Sequence, residues 1–358
     1  MFYLNHHDRG LKTKAHLIAK SLLPENQETP IHFLEEKITP RSLTFRRNHF
    51  PYPKFPIQPF FLTITGSVKN PLIFHYSQIT SMPSQTITAL LECSGNKRAH
   101  FEPKVFGDQW KEGALSQGNW KGVPLSYLLS LTEVNTGARE IVFLGDDSGV
   151  KDGQHVHFQR SLPLEKALDQ HVIVAWEHNQ KPLSPKHGFP FRLIVPGWYG
   201  MASVKWLKTI HVINHSFSGP FQTDDYVYYP HKSEDKDSFP VTTNRVNSII
   251  QHPLDRQILK PGKHEITGLA WTGEGVITSV EISVDNGVTW KAASLHNPTQ
   301  KYQWVKWSIS HVFEKNHEST VKVRAFDSTG QSQPDQAFWN RKGYGHNQVS
   351  QIKVQIEN

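Results

Sequence analysis

The chain has 358 residues, a formal net charge of +7 and a single cysteine. That length holds two cores of ordinary size, one cysteine excludes an internal disulfide, and 37% hydrophobic against 20% charged residues excludes a disordered chain. Without a run of about 18 apolar residues no membrane helix is expected, and the scattered Lys and Arg argue against nucleic-acid binding and for a positive field that attracts small anions.

Residues 1–40 read as an irregular or partly helical extension. Met1 to Lys20 carries scattered His and Lys without the apolar segment of a secretory signal, and no twin-Arg pair precedes an apolar stretch. Val354 to Asn358 is no peroxisomal address, so a cytoplasmic protein is expected. Pro51, Pro53, Pro56 and Pro59 mark extended chain. Phe60 to Val68 alternates as a strand does. Thr88 to Leu91 is a short apolar run leading into Glu92-Cys93-Ser94-Gly95-Asn96, which predicts a strand that delivers the only thiol to its end. Lys97 and Arg98 follow, and neighbouring cations favour thiolate, a ligand suited to a soft or high-valent metal. Taken alone, a single cysteine is more often a small buried hydrophobe.

Further along, Gly122 to Leu131 predicts a short helix with Pro124 in its first turn and Leu125, Leu128 and Leu129 on one face. Glu140 to Leu144 and His171 to Trp176 read as buried strands. His155 and His157 would share a strand face, but no second pair at zinc spacing accompanies them, and a surface strand is the better reading. Residues 41–230 thus form a first domain of strands and short helices. Residues 231–248 form a linker, with the charged run His231 to Ser238 at its start. Residues 249–358 are purely β in pattern. Val280, Ile282 and Val284 alternate with polar residues, Asp285-Asn286-Gly287 turns the chain, and Val305 to Ile309 and Val321 to Ala325 alternate likewise. That spacing predicts an immunoglobulin-like sandwich without its disulfide.

Several blocks now coincide. Leu91 to Arg98 resembles the Cys-Ala-Gly-Asn-Arg-Arg motif of the sulfite oxidase family of molybdenum enzymes, and Arg47-Asn48-His49 resembles that family's Arg-Asn-His motif. Trp110, Gly113 to Ser116 and Trp120 to Leu125 resemble the segment after its cysteine. His187 to Arg192 and Ser203 to Leu207 resemble two further blocks. Gly268 to Trp271, Glu281 to Asp285, Gln333 to Asp335 and Trp339-Asn340 resemble its dimerisation domain. The resemblance runs from about residue 43 to the end of the sequence. It implies an α+β protein: a mixed α/β molybdopterin-binding domain of the sulfite oxidase type followed by an immunoglobulin-like β-sandwich.

The resemblance also implies site residues. Cys93 would ligate molybdenum as thiolate. Phe45, Arg46, Arg47, Asn48, His49, Asp147, His187, Arg192, Ser203, Val204 and Lys205 fall on molybdopterin-binding positions. Arg47 and Arg98 fall on substrate-binding arginines, Trp110 on a pocket tryptophan and Tyr226 on the catalytic tyrosine, with Tyr228 and Tyr229 close rivals. One departure stands out. Family members that oxidise sulfite often carry Trp-Asn-Leu-Arg-Gly, whereas here Trp339-Asn340-Arg341-Lys342-Gly343 puts Lys342 at the arginine. Lysine keeps the charge and loses the bidentate fork.

The implied activity is oxidation of sulfite to sulfate by a molybdenum-molybdopterin cofactor in a homodimer. The alternatives are sulfane-sulfur dehydrogenation, nitrate reduction or a non-catalytic molybdopterin carrier. No Cys-x-x-Cys-His is present and no length remains for a fused module, so neither haem nor flavin is expected. Electrons would pass to a separate acceptor: dioxygen, a small carrier or a cytochrome.

Overall fold

The structure, a computed structural model, describes residues 15–54, 59–315 and 318–357. The expectations for residues 1–14 and for Pro56 lie outside the described residues.

In the described part of the extension a β-hairpin, Ile18–Leu22 against Glu25–Glu28, is followed by a 3-10 turn at Ile31–Phe33. An irregular or partly helical stretch was expected; from residue 18 to 28 it is instead a paired hairpin, and the reason is polar pairing. The inward-facing residues are Asn26 and Glu28, 3% and 2% exposed. Glu28 binds Lys20 at 2.6 Å and accepts from the Lys111 amide at 2.8 Å. Apolar periodicity cannot reveal a strand whose buried face is polar.

The first domain stacks two sheets around one core. In one sheet Gln85–Glu92, Leu115–Pro124 and Ile173–His178 run antiparallel, with Arg192–Ile194 and Lys181–Pro182 beside the last. In the other the order is Leu72–His75, Phe61–Gly66, Leu207–Ile213, Glu140–Lys151 and Gln154–Pro163. Leu62, Ile64, Phe143, Val174, Leu193 and Ile210 are sealed between them. The predicted helix is present as Leu125–Thr132, but Pro124 caps it from outside because Gly122 to Pro124 still pair in the sheet. The strand expected at 140–144 runs on to Lys151 through an irregularity between Leu144 and Ser148. Such bulges re-aim side chains, and this one carries Asp147.

The second domain is the predicted sandwich. Asn247–His252, Gly262–Trp271, Val305–Phe313 and Ser294–His296 form one sheet. Ile258–Leu259, Ser350–Ile356, Glu318–Asp327, Ile277–Ser283 and Lys291–Ala292 form the other. Ile266, Val280, Ile282, Trp307, Val321 and Val323 fill the space between. The charged run before it is exposed, and pairing of Val227–Tyr228 with Phe239–Pro240 closes its base.

The two domains share a seam. Trp271 and Trp304 pack with Leu34, Leu90, Leu115, Ile249 and Leu269, so two tryptophans of the sandwich half join the two domains. The Leu90 amide donates to Tyr302 O at 2.8 Å and the Trp304 amide to Gln117 Oε1 at 2.7 Å. No helix among the described residues is long and apolar enough to cross a membrane.

Candidate active site

Strand Gln85–Glu92 carries the chain out of its sheet, and Cys93 follows immediately. The Cys93 amide donates to Ala114 O and its carbonyl accepts from the Asn96 amide, both at 2.8 Å. The thiol is buried among Phe45, Leu91, Trp110 and Ala114. Burial pushes its pKa up, and Arg47 and Arg98 pull against that. The expected cationic neighbourhood is therefore half corrected. Lys97 takes a left-handed backbone (φ 62) and turns away. Its ammonium donates to Asn247 Oδ1 at 2.6 Å and to Ser248 O and Ser350 Oγ at 2.7 Å, all in the second domain. The second cation near the thiol is Arg47, from a distant part of the chain.

Residues 44–49 reach the thiol because the N-terminal hairpin pins them. Arg46 and Gln27 exchange backbone hydrogen bonds at 2.9 Å, and the Arg46 guanidinium bridges Glu25 at 2.7 Å and Gln27 at 2.6 Å. The Asn48 amide donates to Asn26 Oδ1 and its side-chain amide to Glu25 O, both at 2.6 Å. This leaves Asn48 Oδ1 to accept from Lys205, whose ammonium also donates to Arg47 O at 3.0 Å.

His49 decides where a proton sits. Its Nε2 lies 2.6 Å from the Tyr226 hydroxyl and its Nδ1 lies 3.4 Å from the Arg47 guanidinium. Burial, with Arg47 and Lys205 nearby, pushes its pKa well below the usual value, so the ring is neutral and carries one proton. A guanidinium only donates. Nδ1 therefore accepts, Nε2 carries the proton and donates to the Tyr226 oxygen, an assignment that follows from the partners. The phenolic hydrogen of Tyr226 is left without an acceptor among the described residues. Of the rival tyrosines, Tyr229 donates to Thr223 O at 3.3 Å and Asp224 O at 3.2 Å, and Tyr228 packs under the Arg245 guanidinium at 4.7 Å.

These groups converge on one cavity. Cys93, Phe45, Arg46, Arg47, Asn48, His49, Asp147, His187, Arg192, Ser203, Lys205 and Tyr226 all line it. So do Ser94 and Ser116, which lie inside matched blocks but were not singled out, and Lys186 and Met201, which lie outside every block. Four predicted residues lie elsewhere. Val204 packs in the apolar core, whereas its neighbours Ser203 and Lys205 line the cavity. Trp110 is fully buried behind Cys93. Arg98 lies beside the cavity, held by Gly343 O and Asp108 O, both at 3.2 Å. Lys342 is drawn to the rim by Asp225 at 3.6 Å, a carboxylate that Lys151 also holds at 3.1 Å. The rings of His155 and His157 are 6.3 Å apart, and no metal-binding cluster occurs among the described residues.

Known proteins place this cavity in context. Residues 49–221 match the oxidoreductase molybdopterin binding domain, and residues 239–357 match the Mo-co oxidoreductase dimerisation domain. A sulfite oxidase of Arabidopsis thaliana is 32% identical over 353 residues, covering 89% of each chain. The chain belongs to the sulfite oxidase family of molybdopterin-dependent oxidoreductases. Within that family, an NADH nitrate reductase of Nicotiana tabacum is 31% identical over 93% of this chain, which spans only 40% of that enzyme's length. Among solved structures, the sulfane dehydrogenase SoxCD of Paracoccus pantotrophus superposes with a TM-score of 0.84 at 26% identity, covering 99% of this chain and 93% of that one. The family uses a molybdenum-pterin cofactor, and the residues here fit such a group. Ser94 Oγ, Asp147 Oδ1, His187 Nε2 and Arg192 Nε belong to residues that line the cavity and are buried polar atoms without a partner among the described residues. Arg192 makes one long bond, 3.4 Å to His187 O, and burial lowers its guanidinium only to about 9, so it remains a cation facing the cavity. Buried polar groups of this kind call for a polar ligand.

Two expected results arise here. Tyr226→Phe should lower kcat by about 100-fold or more, the usual share of one positioned proton donor, with the melting temperature nearly unchanged. A larger loss in Tyr228→Phe would reassign the donor. The second concerns pH. His178, His187 and His346 are held neutral by burial, with pKa values of about 2, about 3 and about 3. An unfolded chain protonates histidine near about 6.5. Below that pH the unfolded state takes up protons that the fold refuses, so stability falls as pH drops toward 3. Burial raises Glu92 to about 7 and Asp147 to about 6, which works the opposite way over part of that range. With His49 also held neutral, the histidines outnumber the carboxyls. Melting of the cofactor-free protein should shift downward between pH 7 and pH 5, and an upward shift would contradict the neutral histidines.

Proposed function

We propose that this protein oxidises sulfite to sulfate with a bound molybdenum cofactor, passes the electrons to a separate acceptor, and works as a homodimer through its sandwich domain. The observation that carries this reading is the meeting of Cys93, Arg47 and Tyr226 in one cavity, with the Tyr226 proton free. When bound, the cofactor supplies two-electron oxygen-atom transfer. Cys93 would ligate the metal through Sγ, and since burial favours its neutral thiol, ligation releases a proton. Arg192, His187, Lys205, Ser203 and Asp147 would hold the pterin and its phosphate, with Arg46 and Lys186 adding charge at the same cavity wall.

Arg47 and Arg98 would hold the sulfite anion. Arg98 has Nε and Nη1 engaged, which leaves donors on its other amino group. Tyr226 donates its free hydrogen to oxygen at the reacting centre. Neutral His49 keeps the phenol aimed by donating to its oxygen. Trp110 closes the wall behind Cys93, and fixed donors in a site shielded from bulk water act more strongly than exposed ones.

A second reading, oxidation of sulfane sulfur, draws support from the likeness to the sulfane dehydrogenase and from Lys342, which is tied to Asp225 where a substrate arginine was expected. Molybdenum analysis with sulfite-dependent dye reduction separates the two. Metal with sulfite turnover supports the first, whereas metal without it, and turnover of a persulfide, supports the second. For assembly, light scattering should give a mass roughly twice the 41.0 kDa chain. A fully active monomer would refute the dimer and spare the enzyme.

A further inference from the structure

The sandwich half of the chain brings a side chain, Tyr344, against Tyr226 beside the cavity. Tyr344 sits between Gly343 and Gly345, both in the left-handed region at φ 65 and φ 61. A Cβ at Gly343 would meet Val105 at 2.4 Å, and one at Gly345 would meet the Tyr228 hydroxyl at 2.4 Å, so neither position admits a side chain cheaply. Fully buried Asn340 grips the Tyr344 backbone from both sides, accepting from its amide at 3.0 Å and donating to its carbonyl at 2.9 Å. The Gly345 amide donates to Ser94 O at 2.8 Å, which ties the loop to the residue after Cys93. The loop is thus built to hold one ring in one place.

That ring stacks on Tyr226, 5.4 Å between centroids and tilted by 30°, and the Arg98 guanidinium lies 5.2 Å from its centre. The Tyr344 hydroxyl feels the charges of Arg98, Asp225, Arg47 and Cys93, and the Tyr226 hydroxyl feels those of Arg47, Cys93 and Asp225. The two phenols share their surroundings. Yet Tyr226 has His49 as a partner, whereas no hydrogen bond reaches the Tyr344 hydroxyl among the described residues. Tyr344 is 9% exposed, so its ring is held by packing while its hydroxyl keeps a free hydrogen that a ligand's acceptor can take up. A sulfur oxyanion offers more acceptor sites than Arg47, the remaining donors of Arg98 and Tyr226 fill.

We propose that Tyr344 is a second substrate-contacting phenol, whose hydroxyl donates to an oxygen of the sulfur oxyanion that Arg47 and Arg98 hold. This rests on the sulfite reading above, and its test separates the two. Sulfate binding to the cofactor-loaded protein is measured by calorimetry, and kcat and KM for sulfite are measured alongside, for wild type, Tyr344→Phe and Tyr344→Leu. A hydrogen bond to a charged acceptor predicts that Tyr344→Phe weakens sulfate binding and raises KM by about tenfold or more, with kcat little changed. Equal sulfate affinity and KM in wild type and Tyr344→Phe overturns the proposal, as does the absence of sulfate binding by wild type. Loss in Tyr344→Leu alone also overturns it, since the ring then acts only by shape. Should wild type bind sulfate but fail to oxidise sulfite, the substrate reading falls, and weaker sulfate binding by Tyr344→Phe still upholds the phenol contact.

Discussion

Cys93→Ser will abolish molybdenum retention and turnover while leaving both domains folded. Cys93 is the only thiol in the chain, and a serine hydroxyl is a harder donor that stays protonated where a thiol can ionise. Activity should fall by more than about 100-fold, beyond the 10- to 100-fold that loss of an outer partner of a metal ligand costs. The fold tolerates the change because the substitution is nearly isosteric and both backbone bonds of residue 93 remain. The new hydroxyl lies among Phe45, Leu91 and Trp110, so a stability loss of about 1–3 kcal/mol is expected. Molybdenum content by elemental analysis and melting by calorimetry check the two halves separately. Metal bound at the wild-type level with full turnover would remove Cys93 from the ligand set.

Trp271→Ala should cost more stability than any change at the cavity itself. The indole is fully buried in the seam with Leu34, Leu90, Leu115 and Trp304, and truncating a buried tryptophan costs about 3–5 kcal/mol. It does a second job. Its Nε1 donates to Glu92 Oε2 at 2.9 Å, while Glu92 Oε1 accepts from Asn96 at 3.0 Å, and Asn96 in turn accepts from the Ala114 amide at 3.1 Å. Glu92 precedes the thiol, so a sandwich residue helps to hold the turn that presents Cys93. Trp271→Phe keeps most of the packing and deletes the donor, at a cost of about 1–3 kcal/mol. Urea unfolding of both variants gives these numbers. A Trp271→Ala loss below about 1 kcal/mol, or equal losses in the two variants, would contradict this account of the seam.

Within the fold, alternating runs such as Val280 to Val284 and Val321 to Val323 were legible as strands because one face of each is apolar and packs inward. The apolar run into Cys93 was legible as a strand end for a different reason, both faces being buried, with Ala89 and Leu91 beside the thiol and Leu90 in the seam, and the motif blocks marked most residues of the cavity. The hairpin at Glu25–Glu28 was not legible, since its buried face is polar and its partners lie at Arg46, Asp108 and Lys111. Polar residues that satisfy one another across the chain leave no period to read.

What the sequence by itself determined was the division into a mixed domain and a sandwich, the thiol at the end of a strand, and the arginine, histidine and tyrosine set around it. The division and the strand end follow from local patterning, and the arginine, histidine and tyrosine set from the resemblance of blocks that keep their order. What only the tertiary structure decided was direction. Lys97, adjacent to Arg98, points into the domain seam, and Lys342 is drawn to Asp225 at the rim. Tyr344 arrives beside Tyr226 from the far end of the chain. A side chain's partner is set by which groups become buried next to it, and burial is a property of the packed molecule.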